Sequence, residues 1–86
     1  MIEAKKIVSR QGDFILVESD GIYYIDVLIP NFYPNSHMDV SKTFVLNDID
    51  EKNKDNMDYL ISLAEKIRKE WTEYADREVS NVKIVQ

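Results

Sequence analysis

A chain of 86 residues, 44% apolar and 31% charged, has room for one hydrophobic core and not for two. With no cysteine and a single histidine, it excludes disulfides, thiolate zinc sites and cysteine nucleophiles, and it leaves no all-protein transition-metal site to expect. Sixteen acids against eleven bases, a net charge of −5, argue against binding driven by phosphate contacts.

The first 47 residues read as strands, because they are rich in β-branched and aromatic residues and hold both glycines and both prolines. A first strand is predicted near Glu3 to Ser9, followed by a turn at Gln11-Gly12-Asp13 and a second strand from Phe14 to Glu18. Asp20-Gly21 then stands between two apolar runs, the signature of a type I′ hairpin whose two central residues need positive φ. In the third strand, Ile22 to Ile29, alternation places Tyr23, Ile25, Val27 and Ile29 toward the core and Tyr24, Asp26 and Leu28 on the other face. Pro30 ends this strand and opens a loop that carries Phe32, Tyr33, His37, Met38 and Asp39, and a fourth strand is predicted over Lys42 to Leu46.

From Asp48 the apolar period lengthens. Met57, Leu60, Ile61, Ala64, Ile67, Trp71, Tyr74 and Ala75 recur every three or four residues, which predicts one long amphipathic helix starting between 50 and 56 and ending near Glu78. All eight stripe residues are expected in the core, with Trp71→Ala costing about 3–5 kcal/mol. Tyr59 lies off the stripe and is expected to be exposed. Val82 to Val85 forms a short strand that returns to the sheet as an edge or central strand. The fold class is therefore α+β, ordered ββββαβ: a single-domain, four-stranded antiparallel sheet with one long helix on one face and a short C-terminal strand. Because one helix covers one side, the opposite face, with Tyr24, Leu28 and either Phe14 or Leu16, is open to pair with a second copy.

Candidate chemistry is sparse. His37 and Asp39 form an acid/base pair in type, but no nucleophile arrangement accompanies them, so no enzyme is expected and no catalytic residue is assigned. The acids Asp48, Asp50, Glu51, Asp55 and Asp58 evoke a calcium loop, yet Lys52 and Lys54 interrupt a segment that lacks the required glycine, so neither metal nor cofactor is assigned. Two other roles fit these acids: stabilising a helix N-terminus through its dipole, and steering a basic partner. Residues 48–58 hold five acids and two bases, a local charge of −3, while residues 59–86 are neutral. The helix bases are interleaved with acids, Glu65 with Lys69 and Glu73 with Arg77, the pattern of a solvated helix and not of a nucleic-acid surface. Phe32, Tyr33 and His37 of the loop, Tyr59, and the five acids are therefore the candidate partner-binding residues.

The ββββαβ order, the small acidic cysteine-free chain and the segment Met57-Asp58-Tyr59-Leu60-Ile61-Ser62-Leu63-Ala64-Glu65-Lys66-Ile67 leading to Val82-Lys83-Ile84-Val85 resemble small immunity proteins of bacterial polymorphic-toxin and contact-dependent growth-inhibition systems. The resemblance implies a non-enzymatic inhibitor that binds a cognate toxin domain, often a nuclease with a basic cleft, and blocks it. It carries over no individual residue, because these families bind through different faces. A phage-encoded inhibitor of a host nuclease or defence system, of the anti-CRISPR kind, has the same size and charge, and a small structural or oligomer-forming domain is the third alternative. The longest apolar runs are four residues, Phe14 to Val17 and Ile22 to Ile25, against about 20 for a membrane span. The N-terminal Met-Ile-Glu-Ala-Lys-Lys lacks the apolar core of a signal peptide, so a cytoplasmic chain is expected.

Overall fold

A computed structural model describes residues 2–29 and 40–85. Four strands follow one another as an antiparallel meander: β1 (Ile2–Arg10), β2 (Phe14–Ser19), β3 (Ile22–Ile29) and β4 (Val40–Val45). The hairpin between β2 and β3 is the one expected from Asp-Gly, with Asp20 at φ 52° and Gly21 at φ 81°, and the Gly21 N–H donates to the Glu18 carboxylate at 3.0 Å.

The helical region departs from the expected single helix. It divides into α1 (Asp48–Lys52), α2 (Met57–Lys69) and a 3-10 helix over Trp71–Arg77. The physical reason lies in lengths. A helix from 50 to 78 would run about 40 Å at 1.5 Å per residue, whereas the six residues of β4 span about 20 Å, which the 13 residues of α2 match. Asparagines mark both starts: the Asn47 side chain accepts from the Asp50 N–H at 2.8 Å and the Asn56 side chain accepts from the Tyr59 N–H at 3.2 Å. After Glu70 the 3-10 helix returns along the sheet, placing Tyr74 edge-on to Phe44 with ring centroids 6.4 Å apart.

The sheet is mixed and has five strands, in the order β4-β3-β2-β1-β5, because β5 (Val82–Val85) lies parallel to β1. The sheet also curls. The Val79 N–H donates to the Thr43 carbonyl of β4 at 2.8 Å, and two residues later the Asn81 carbonyl accepts from the Ile2 N–H of β1 at 2.8 Å, so one short segment links the β4 edge to the β1 and β5 side of the sheet. An isolated antiparallel bridge between Phe44 and Glu78 reinforces this closure.

Two cores result. On the helix side, Phe14, Leu16, Ile25, Val27, Ile29, Phe44 and Leu46 pack against Leu60, Leu63, Ala64 and Ile67 of α2. On the curled side, Ala4, Val17 and Tyr24 are buried against Val45, Val79, Val82 and Ile84. A bulge in β1 between Lys6 and Val8 lets Ala4 face the second core and Val8 the first, and it turns Ile7 outward. The expected open sheet face is thus corrected: Tyr24 is 5% exposed, and Phe14 and Leu16 belong to the helix side. Of the eight stripe residues, Leu60, Ala64 and Ile67 are buried, Ile61, Trp71 and Tyr74 are half-buried, and Met57 and Ala75 are exposed, while Leu63 joins the core from outside the stripe. The stripe weakens from Trp71 onward because the α-helix ends at Lys69 and the chain continues as a 3-10 helix.

Candidate functional site

The short helix α1 has an inverted burial pattern. Asp50 is 4% exposed, whereas its neighbour Ile49 is 63% exposed. Asp50 sits at the third position of α1 and completes a capping box, its carboxylate accepting from the Asn47 N–H at 3.4 Å. The same carboxylate accepts from the Tyr59 hydroxyl at 2.6 Å and from Arg77 Nη1 at 2.8 Å, so α1, α2 and the 3-10 helix meet on one buried charge. The Arg77 guanidinium also lies 4.8 Å from the Tyr74 ring centre. Hydrogen bonding to Asp50 pushes the Tyr59 phenol up to about 12, and burial adds to the shift, because a phenolate beside that carboxylate would lose the bond and meet like charge.

This hub corrects two expectations. Tyr59 is half-buried and its hydroxyl is engaged inside the fold, not exposed. Asp50 holds the corner together instead of facing a partner. Arg77, read from the sequence as a partner of Glu73 on a solvated helix, turns inward because the 3-10 geometry carries it to Asp50. Arg68 also leaves the solvated pattern: its Nε donates to the Leu28 carbonyl at 2.9 Å and its Nη2 pairs with Asp13, pinning the end of α2 to the sheet.

What remains outward at this corner is an apolar centre among acids. Asp48, Asp55 and Asp58 are exposed and Glu51 is half-buried, and the exposed apolar side chains within the segment are Ile49 and Met57, the latter 42% exposed. Asn53 donates to the Ile49 carbonyl at 2.9 Å, and the Lys54 ammonium lies 5.2 Å from the Tyr23 ring centre, which ties the connection between α1 and α2 back to β3. Phe32, Tyr33 and His37, with Asp39, lie outside the described residues. The residues that flank that loop, Ile29 and Val40, stand at the opposite end of β4 from α1. The described residues therefore do not join the loop and the acidic segment into one surface.

A second feature was missed by the sequence reading. Asp26, in the middle of β3, has a buried carboxylate oxygen without a hydrogen-bond partner among the described residues, and burial pushes its carboxyl above the usual carboxylate range. The signal was available in an aspartate at the centre of a strand otherwise made of isoleucine, tyrosine, valine and leucine.

Among the described residues, no group of three or more histidines, cysteines, aspartates or glutamates is arranged to hold a metal ion, and no helix is long and apolar enough to cross a membrane. Compared with protein-family models, curated proteins and solved structures, the chain matches none.

Proposed function

We propose that the chain is a non-enzymatic binding protein that neutralises a basic protein partner, such as the nuclease domain of a toxin, by covering it with the corner formed by α1 and the start of α2. The observation that supports this reading is the inversion within α1, where Asp50 is buried and Ile49 is exposed. A five-residue helix that served the fold alone would turn its isoleucine inward and its aspartate outward. Here the buried carboxylate fixes the helix, and the isoleucine is presented with Asp48 and Glu51 on either side of Asp50 in the same short helix. A desolvated apolar anchor with a charged rim is the anatomy of a protein interface, and the acids accelerate encounter with a basic surface more than they deepen affinity. Because the ionic hub preorganises the corner, little ordering entropy is lost on binding. Self-association through an open sheet face has less support, because the curled side is packed by Val79, Val82 and Ile84.

Co-expression with the protein encoded beside its own gene tests this reading. A stoichiometric complex that persists through size-exclusion chromatography is expected, and Ile49→Asp weakens it by about 2 kcal/mol, roughly thirtyfold in Kd. Absence of a complex with that neighbour, or a complex indifferent to Ile49→Asp, overturns the proposal.

A further inference from the structure

Asp26 lies on the curled side of the sheet, paired across strands with Ile15 of β2 and Thr43 of β4. Two hollows open beside it. One, of about 450 Å³, lies between the turn that joins β1 to β2 and the strands β3 and β4; the other, of about 270 Å³, lies between β4 and the segment that leads into β5. Asp26 and Ser41 line both. The larger hollow falls within the size range of small-ligand sites, and Ile15 and Leu28 supply apolar wall.

A carboxylate oxygen buried without a partner is costly, and a strand interior is a poor place for aspartate, so the fold alone gives no reason for this residue. The cations that border the two hollows are already matched: Arg10 lies 3.4 Å from the Asp13 carboxylate, and Lys42 lies 3.1 Å from Glu78 while also facing the Trp71 ring. Among the described residues no cation is left to match Asp26, so the fitting charge is one supplied by a bound group.

We infer that Asp26 anchors a binding site for a single alkylammonium or guanidinium group, with the cation on the carboxylate, the hydroxyls of Ser41 and Thr43 near its remaining N–H donors, and its aliphatic stem along Ile15 and Leu28. The raised carboxyl is consistent with a site completed by a cation, since an opposite charge lowers what burial has raised. The cation has two sources of the same chemistry, a free small amine and a lysine or arginine side chain of a protein. None of the residues lining the two hollows belongs to residues 48–58, so the site stands or falls independently of the proposed interface.

The test is a titration of the carbon-13-labelled, full-length protein with methylguanidinium and n-butylammonium chlorides, and with capped tripeptides that carry one central arginine or lysine. A saturable shift of the Asp26 carboxyl carbon and of the Ser41 and Thr43 amides is expected, weakened about tenfold or more in Asp26→Asn. Tighter binding of the free cations identifies a small amine as the source, and tighter binding of the tripeptides identifies a protein side chain. The wild-type carboxyl signal reports binding directly, whatever the stability of the variant. No saturable shift at Asp26 with any of the four probes, or the same shifts in Asp26→Asn, overturns the inference.

Discussion

Arg77 reaches back 27 residues to donate from Nη1 to Asp50 Oδ2 at 2.8 Å, and this contact joins the last turn of the 3-10 helix to the first helix after the sheet. Its magnitude separates two accounts of Arg77. A solvated pair with Glu73 on a helix surface contributes about 0.2–0.5 kcal/mol. Removing the partner of a buried carboxylate costs far more, because the remaining charge keeps its desolvation penalty. Arg77→Ala is expected to lower stability by about 2–3 kcal/mol in urea unfolding, the upper end of what one hydrogen bond to a charged group contributes. A loss under about 0.5 kcal/mol would return Arg77 to the surface.

Tyr59 tests the same hub from the alkaline side. Its phenol is raised to about 12 by the bond to Asp50, so the folded state favours the protonated form. That contribution is fully present below the ordinary tyrosine range near 10 and is lost as pH rises through about 12. In an ultraviolet titration of the five tyrosines, the step missing from Tyr59→Phe should be the one near 12. A missing step near 10 would show that the hydroxyl does not meet Asp50.

The hairpin and the helix-side core were legible because their signals are local. Asp20-Gly21 dictates its own turn, and the alternation of Tyr23, Ile25, Val27 and Ile29 dictates which face of β3 meets α2. The division of the helix was not legible. Asp48 followed by Glu51 imitates a capping box, while the real caps, Asn47 and Asn56, compete with four aspartates and another asparagine of similar capping strength in the same stretch. The direction of β5 was also hidden, since nothing in Val82-Lys83-Ile84-Val85 distinguishes a parallel from an antiparallel neighbour. Of the candidate site, the acidic segment was visible in the charge count, but the inward turn of Asp50 depends on Tyr59 and Arg77, 9 and 27 residues away.

Trp71 follows from the break in the helix. It packs against the edge of the core as a half-buried side chain, with the Lys42 ammonium 5.1 Å from its ring centre. Trp71→Ala is accordingly expected to cost about 1.5–2.5 kcal/mol, below the roughly 3–5 kcal/mol of a fully buried tryptophan. A loss of about 4 kcal/mol or more in urea unfolding would place Trp71 inside the core.

Asp26 gives a pH dependence of the opposite sense to that of an ion-paired acid. Its folded-state carboxyl is raised by burial, so the neutral form is favoured in the fold. The associated stability is present in acid, below the ordinary carboxylate range near 4, and is lost as pH rises through the raised value. At neutral pH, Asp26→Asn should therefore unfold at a temperature a few degrees higher than the wild type, and the difference should shrink in acid. A lower unfolding temperature at neutral pH would mean that the ionised carboxylate is matched inside the fold.

In the proposed function the corner of α1 and α2 is the binding surface. Hydrogen–deuterium exchange of the complex with the protein encoded beside the gene tests it most directly. Protection is expected to concentrate in residues 48–58, with Ile49→Asp removing it while the hub of Asp50, Tyr59 and Arg77 stays intact. Protection confined to β1 and β5, with residues 48–58 exchanging as in the free chain, would contradict the account.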